Sequence, residues 1–336
     1  MRQALIFLAV GAIIIFSSCA PSQKSVQPQN KVRLTVDFQQ GQSLKYHFLS
    51  SRDITVDWGQ MPGEQAGKVK IEKSSESLNL VVSYTPVEVN TYGFTTIKAV
   101  CESAKVSRSG SSTRHITKAD AAESFTGKSW TFTVGPIGKM GERSGLYDLI
   151  RQVGQTAFRA DRSQGIIKEP DMVYDFIASQ WFLWDSVSSI SRPAAGIKAG
   201  DKWKSKLFVP APMVLYTARD VNYILAEVRP DPNNQIAVID SNYFLLYPVP
   251  SDWPVPYTES FSMSGMFGFL RGYKVLDLQG QGQELFNVTA GRIVTDTQKY
   301  TMNIQSSLPL LAGVTPKITI EQTLVMDLIA TKEPVK

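Results

Sequence analysis

Apolar and polar residues alternate along much of the chain, which is the period-two pattern of half-buried β-strands. The alternation is clear in residues 32–38 and again in residues 78–84, where every second residue is apolar. Residues 90–93 predict a hairpin turn, after which an extended run returns over residues 94–106. Long strands joined by Gly- and Asn-containing turns predict an antiparallel meander.

The period changes to three and four residues after residue 140, and this spacing predicts helices. A first helix is expected over residues 146–158 and a second from Asp171 to about Ile190. The second is apolar around much of its circumference, which indicates burial on several sides. Its aromatic side chains are candidate ligand contacts, with packing in the core as the alternative; they are Phe176, Trp181 and Trp184.

A second β series is expected after the helices. Extended runs are predicted over residues 203–209, 214–229, 235–247, 272–278, 284–290, 292–305 and 317–330. Residues 247–257 contain four prolines and three aromatic residues. Since proline lacks an N–H donor, this segment is not a central strand. Trp253 and Tyr257 are candidate contacts for a sugar or peptide, and the alternative is a segment that crosses the end of a sheet.

The layout predicts an α+β protein that is mainly β, with curved antiparallel sheets or a half-open barrel and a central helix pair. The expected divisions are residues 32–140 for the first β series, 141–192 for the helices and 197–332 for the second β series. We expect the two series to pack as one body. A duplicated β unit is one option, although the two halves share little identity.

The first residues predict a secretory signal and a lipid anchor. Residues 4–16 are an apolar run behind Arg2, shorter than the roughly 20 residues that cross a bilayer as a helix. The run ends in Ser17-Ser18-Cys19, which resembles the lipobox of bacterial lipoproteins. That resemblance implies a signal over residues 1–18 and a membrane partner held through acylated Cys19. The alternatives are an uncleaved membrane helix and a secreted protein with an incidental cysteine.

Two further features of the sequence bear on where the protein is located and how its body is attached. Ala20 follows the cysteine where an Asp would retain many bacterial lipoproteins at the inner membrane, so by analogy the outer membrane, facing the periplasm, is favoured. Residues 19–31 are rich in Pro and Gln and poor in large apolar residues. They predict a flexible tether between the anchor and the body.

Charge and cysteine content exclude some classes of protein. The net charge of +5 is low and mixed, so no nucleic-acid partner is indicated. With Cys19 acylated, Cys101 has no disulfide partner and is expected to be a buried apolar residue. A locally basic arm suggests contact with an anionic surface or polymer, or simply a solvated hairpin; its residues are Lys98, Lys105, Arg108, Arg114 and Lys118.

Catalytic and cofactor motifs are not found, and no metal or cofactor is expected. His47 and His115 are the two histidines, in separate segments, and no Gly-x-Ser-x-Gly sequence occurs. Residues 127–129 and 280–282 resemble fragments of phosphate-binding loops, but both lead into strand-like sequence instead of a helix. Because two carboxylates cannot be paired from sequence alone, a carboxylate-dependent hydrolase stays open.

Four short motifs resemble an uncharacterised family of bacterial envelope lipoproteins. They are Gly41-Gln42-x-x-x-Tyr46, Val134-Gly135-Pro136-Ile137, Gly200-Asp201-x-Trp203 and the run FNVTAGRIV at residues 286–294. The resemblance implies a curved antiparallel sheet around helices and no established activity. More remotely, the layout is similar to the half-open β-barrels of envelope lipoprotein carriers, which hold acyl chains between sheet and helices.

The sequence thus predicts a non-enzymatic envelope lipoprotein that binds an apolar, lipid-like ligand or a partner segment between sheet and helices. The alternative is a structural or interaction module that meets the cell wall or another envelope protein. A carboxylate-dependent hydrolase is the third hypothesis.

Overall fold

The computed structural model describes residues 31–59, 70–110, 120–159, 166–167, 172–230, 234–251, 253–256, 262–263, 265–309 and 313–332. Cys19, Arg114, His115, Lys118 and Tyr257 lie outside these residues, and so do the signal and nearly all of the tether.

Four strands form the first β series: β1 (Ser43–Asp57), β2 (Ile71–Val89), β3 (Thr95–Gly110) and β4 (Ser129–Val134). The expected hairpin between β2 and β3 is confirmed. The strand expected over residues 32–38 is wrong, because this segment makes an isolated bridge between Val32 and Ile197 and joins no sheet. Its alternation is nevertheless real, since Val32, Leu34 and Val36 are all buried.

Helices connect the two β series. Helix α1 (Ser144–Arg159) agrees with the first predicted helix, and a 3-10 helix over Ala121–Phe125 precedes it. The second predicted helix is wrong as one element: α2 (Val173–Phe182) and α3 (Asp185–Ser188) are separated by Trp184, whose φ of 65° is left-handed. No helix in the described part of the chain is both long enough and apolar enough to cross a membrane.

Six strands of the second series join the same sheet as the first: β6 (Lys202–Phe208), β7 (Ala218–Arg229), β8 (Ile236–Leu246), β10 (Arg271–Asn287), β11 (Arg292–Ser307) and β12 (Lys317–Lys332). Two short strands, β5 (Ile166–Ile167) and β9 (Ser262–Met263), pair separately, and α4 spans Gly265–Phe269. The predicted break between residues 278 and 284 is wrong, because β10 continues through Gly280 and Gly282.

The strand order is β4-β3-β2-β1-β12-β11-β10-β8-β7-β6, with every neighbouring pair antiparallel. The first and last strands, β1 and β12, therefore join the two β series in the middle of the sheet. The expected mainly β fold with an antiparallel sheet is confirmed, and the sheet is open instead of closed into a barrel. Because β4 and β6 lie at opposite edges, the helices between them cross one face of the sheet.

Residues that face the helices are buried, and the register aligns them in rows across the strands. In one row Arg52 of β1 lies opposite Glu76 of β2 and Gln322 of β12, and Gln322 lies opposite Tyr300 of β11. All four side chains are buried. The inner face of the sheet thus carries polar residues in the middle of an otherwise apolar core.

The two edges of the sheet approach each other at the end where β1 begins and β12 finishes, which we call the lower end. Val32 exchanges two 2.8 Å backbone hydrogen bonds with Ile197, which precedes β6, and the N–H of Val36 donates to the carbonyl of Pro136, which follows β4. Four extended residues span at most about 14 Å. The sheet is therefore strongly curved, and residues 32–38 lie across its lower end.

Candidate functional site

The candidate residue Phe176 packs in the core of the helix–sheet interface. Its ring stacks on Phe125 with a centroid distance of 3.6 Å and lies edge-on to Trp130 at 5.6 Å. It has no exposed surface. These contacts hold α2 against the 3-10 helix and β4.

Trp181 and Trp184 contact different parts of the core. Trp181 lies 5.7 Å from the ring of Tyr147 on α1, and the Arg143 guanidinium lies 5.0 Å above the Trp181 ring. Trp184 is fully buried, and its ring contacts Phe38 at 5.3 Å and Tyr84 at 6.1 Å. The three aromatic residues of this region therefore do not line one common surface, and as ligand contacts they stay predictions.

Trp253 belongs to the proline-rich segment and is also buried. Its ring lies 5.0 Å from Phe208, the last residue of β6. The described part of this segment forms no strand, as expected, and it crosses the end of the sheet at which β1 finishes, the upper end. Tyr257 lies outside the described residues. Of the two aromatic residues of this segment that the structure describes, Tyr247 is exposed, with 61% of its surface accessible to solvent.

The basic arm is not a free patch of charge. Arg108 forms ion pairs with Asp120 at 2.5 Å and Glu76 at 3.4 Å, and its side chain is only 11% exposed. Lys98 and Lys105 are exposed. Of the described members of the arm, Arg108 is therefore partly buried and held by ion pairs, whereas Lys98 and Lys105 face solvent.

An ion cluster joins α2 to the centre of the sheet. Arg52 Nη2 lies 3.0 Å from Asp175 Oδ2, and Arg52 Nε lies 2.8 Å from Glu76 Oε2. Asp175 also accepts a 2.5 Å hydrogen bond from the Ser50 hydroxyl. Ions buried away from water need partners of this kind, because desolvation is costly. The cluster fixes where α2 sits on the sheet.

A second cluster contains three carboxyl groups beside α3. Burial raises the pKa of Asp185 to about 6, even though its oxygens accept hydrogen bonds from Tyr223 and Ser205, both of 2.8 Å. Burial also raises the pKa of Asp296 to about 6. For Glu284, opposite Asp296 in the sheet, burial and then the Asp296 charge raise the pKa well above its usual value. Burial in this cluster therefore disfavours the ionised form of all three carboxyl groups.

Arg219 is the cation of this second cluster. Its guanidinium lies 4.3 Å from the ring centroid of Tyr243, 4.6 Å from Phe182 and 5.1 Å from Tyr300, and Nη2 donates to Gln298 at 2.7 Å. Cations above aromatic faces are stabilised by the ring quadrupole. The arrangement links β7, β11 and α2.

Two glycines of β10 make room for this cluster. A Cβ at Gly282 would lie against the Tyr243 hydroxyl and 2.7 Å from Ser241 Oγ, and a Cβ at Gly280 would lie 2.7 Å from the Tyr300 Cα. Residues 280–282, which resemble a fragment of a phosphate-binding loop in sequence, thus lie inside a strand and pack against its neighbours. Glycine inside a strand often marks a place where another part of the protein approaches the backbone closely. Gly280 and Gly282 are such a signal in the sequence.

The helix–sheet interface contains a small cavity. It measures about 30 Å³ and is lined largely by apolar side chains, together with Ser50, Asp175, Asp296 and Gln298. A water needs about 10–15 Å³, so roughly two waters fit there. This cavity has no room for an acyl chain or a sugar ring.

A larger groove, of about 570 Å³, lies open at the upper end. It forms because β8 stops pairing with β10 at Gln279, whereas β10 continues outward from there to Arg271 beside β11 alone. Its walls are mostly apolar and aromatic: Val214, Leu215, Tyr216, Thr217, Tyr247, Tyr273, Lys274, Val275 and Leu276. Because its walls come from three separate segments, no single stretch of sequence predicts this groove.

Hydrogen bonds fix the aromatic walls of this groove, which we call the upper groove. The Tyr247 hydroxyl donates to the Val275 carbonyl at 2.9 Å, and the Tyr273 hydroxyl donates to the Phe267 carbonyl at 2.7 Å. Tyr216 and Leu276 are 42% and 49% exposed. The rings are thus held in place while much of their apolar surface faces water. Such a groove can bind an apolar chain and offers Lys274 as a cation.

A polar groove of about 590 Å³ lies on the outer face of the sheet. Its side chains are mostly amides, hydroxyls and charges, among them Gln279, Gln281, Lys299, Thr301 and Glu321. Among the described residues, no group of three or more His, Cys, Asp or Glu side chains is arranged to hold a metal ion. Because the walls of this outer groove are mostly polar, the upper groove is the better candidate for binding an apolar ligand.

Comparisons with known proteins do not identify a family. No protein-family model and no curated protein matches the sequence. Among solved structures, the chain is similar to one described as "Lipid-protein interactions in lipovitellin", with 10% sequence identity and a TM-score of 0.39. The match covers 89% of this chain and 26% of the other. A similarity this low carries no argument, so the resemblance to envelope lipoproteins stays a prediction.

Proposed function

We propose that this protein is a non-enzymatic lipoprotein of the bacterial cell envelope, anchored through Cys19 in the outer membrane and facing the periplasm. Its body binds an apolar, lipid-like ligand, or an apolar segment of a partner, in the upper groove. The observation that carries the binding proposal is the exposed, hydrogen-bonded aromatic wall of that groove.

The dimensions and chemistry of the groove support this proposal. Ligand sites in proteins are commonly about 300–1,000 Å³ and lined by apolar and aromatic side chains with a few polar groups. The upper groove has this size and lining, whereas the cavity beneath α2 holds only water-sized matter. The proposed site therefore differs from the cavity between sheet and helices that the sequence analysis expected.

A binding experiment tests the groove. The purified lipidated protein is titrated with a fluorescent fatty-acid probe, and lipids that copurify with it are identified by mass spectrometry. Leu276→Asp places a charge on the apolar wall and is expected to weaken probe binding about tenfold or more. Ile71→Asp is the matched control, because Ile71 is 56% exposed on β2 and does not line the groove.

Three results would count against a lipid-like ligand: no copurified lipid, no saturable probe binding, or equal binding by both variants. The partner-segment form of the proposal has its own readout. A photo-crosslinking residue in place of Tyr247 should then capture one defined envelope protein in cells, and Leu276→Asp should abolish that adduct. The anchor is tested separately by Cys19→Ala, which should release the protein from the membrane fraction.

A further inference from the structure

The hairpin between β2 and β3 has an apolar tip that faces water. Within residues 87–94, which we call the hairpin tip, Tyr92 is 81% exposed, and Val87, Val89 and Phe94 are each 43–45% exposed. The hairpin projects beyond β1, whose pairing with β2 begins at Leu44 opposite Tyr84. Exposed apolar clusters of this kind commonly mark surfaces that contact other molecules or membranes.

Three hydrogen bonds of Asn90 close the turn at the tip. The Asn90 side-chain oxygen accepts hydrogen bonds from the N–H groups of Tyr92 at 3.0 Å and Phe94 at 2.9 Å. The Asn90 N–H donates to the Phe94 carbonyl at 2.9 Å. The turn therefore presents Tyr92 outward in a fixed geometry.

The described chain enters the body at this same lower end. Lys31 precedes Val32, which pairs with Ile197, and Val36, whose N–H bonds to Pro136, is the fifth residue after Lys31. A Cβ at Gly93 would lie 3.1 Å from Pro136 Cγ, so this proline touches the hairpin tip. Five extended residues span at most about 18 Å, so the tip lies within a short distance of the chain entry.

We propose that the hairpin tip is a membrane-contact surface that docks the lower end of the body on a phospholipid bilayer. This inference rests on the proposed anchor at Cys19. The sequence between Cys19 and Lys31 can reach at most roughly 40 Å, which keeps the lower end near the bilayer. Tyrosine suits the headgroup region, because its ring is apolar and its hydroxyl is polar.

The charges near the tip suit shallow contact with headgroups. Lys98 on β3 and Lys139, in the loop that contains Pro136, are exposed. Basic side chains favour anionic lipids such as phosphatidylglycerol. Glu88 is also exposed and opposes deep insertion. The tip therefore rests at the headgroup level and does not cross the bilayer.

A labelling experiment tests the contact in the full lipidated chain. Tyr92→Cys is labelled with an environment-sensitive dye, and the protein is reconstituted into protein-free vesicles of phosphatidylethanolamine and phosphatidylglycerol. Ile71→Cys is the matched control, because Ile71 is an exposed apolar residue at the end of β2 far from the hairpin tip. Emission from position 92 should shift to the blue and be quenched by brominated lipids, whereas emission from position 71 should not.

A second readout measures how firmly the lipidated protein is held. Tyr92→Asp should speed its transfer between vesicles by about fivefold or more, while Ile71→Asp should leave the rate unchanged. Vesicle-bound protein with equal, water-like emission at both positions would overturn the membrane contact and leave the anchor standing. Shielding of position 92 only when envelope proteins are added would also overturn it. Wild-type protein that does not bind membranes at all would overturn the anchor and the contact together.

Discussion

Arg52 on β1 and Asp175 on α2 form an ion pair of 3.0 Å in which neither side chain has any exposed surface. Glu76 completes the arrangement on the other side of the guanidinium. Arg52→Ala leaves Asp175 buried without its cation, whereas Glu76 keeps its ion pair with Arg108. Loss of the partner of a buried charge costs about 3–5 kcal/mol. We expect the free energy of unfolding, measured by urea denaturation, to fall by that amount.

Arg229→Ala is the control for this experiment, because Arg229 pairs with Glu227 on the surface and both side chains are more than half exposed. Exposed pairs contribute about 0–1 kcal/mol. Equal losses in Arg52→Ala and Arg229→Ala would contradict the role given to the buried cluster.

The carboxyl cluster beside α3 predicts an unusual pH dependence. A carboxyl group whose pKa is raised in the folded state stabilises the fold below its unfolded pKa and loses that contribution as pH rises through the folded value. For Asp185 and Asp296 this window runs from about 4 to about 6. Glu284→Gln should therefore unfold like the wild type at pH 4 and be more stable than it at pH 7.

This comparison uses urea denaturation at both pH values. Because burial and the Asp296 charge raise the pKa of Glu284, its replacement by the neutral Gln is expected to increase the free energy of unfolding at pH 7 relative to pH 4. Glu227→Gln, on the surface, should show no such pH-dependent gain. If Glu284→Gln were destabilised equally at pH 4 and pH 7, the pKa of Glu284 would not be raised by folding.

Gly282 is expected to tolerate no side chain. Gly282→Ala would press a methyl group against Tyr243 and Ser241, and overpacking costs about 1–3 kcal/mol. Thermal unfolding should reveal a lower midpoint. In Gly145→Ala the new Cβ would meet Thr131 at 3.4 Å, an ordinary contact in the first turn of α1, so that variant should not be destabilised.

Cys101 should be unreactive in the folded protein. It is fully buried on β3, and burial raises the pKa of its thiol to about 12. At pH 8 only about one thiol in ten thousand would be ionised. Mass spectrometry should detect no alkylation of Cys101 by iodoacetamide until urea unfolds the chain, and rapid labelling of native protein would contradict this environment.

Strand positions were largely predictable because one face of each strand is buried and the other meets water. Leu78, Leu80, Val82 and Tyr84 are all buried as their alternation indicated. The same alternation in residues 32–38 misled the prediction of a strand. Every second residue is buried in any extended segment that lies against the core. The pattern does not reveal whether the backbone of that segment also pairs with a neighbouring strand.

The break in the second helix was not predictable, because its cause is tertiary. Asp185 hydrogen-bonds to Ser205 and Tyr223 on the sheet, and Trp184 fills a space between Phe38 and Tyr84. Such contacts override local helix preference. The upper groove was not predictable for a related reason. It depends on the position at which β8 and β10 stop pairing, which is also set by the tertiary structure.

The pairing of β1 with β12 also constrains the order of folding. Tyr46 on β1 must wait for Leu328 on β12, which is made last among the strands, before the middle of the sheet can form. Contacts between residues so distant in sequence are slow to form. A chain that lacked β12 would hold two separate groups of strands with unpaired inner edges on β1 and β11, so β12 unites the two groups into one sheet.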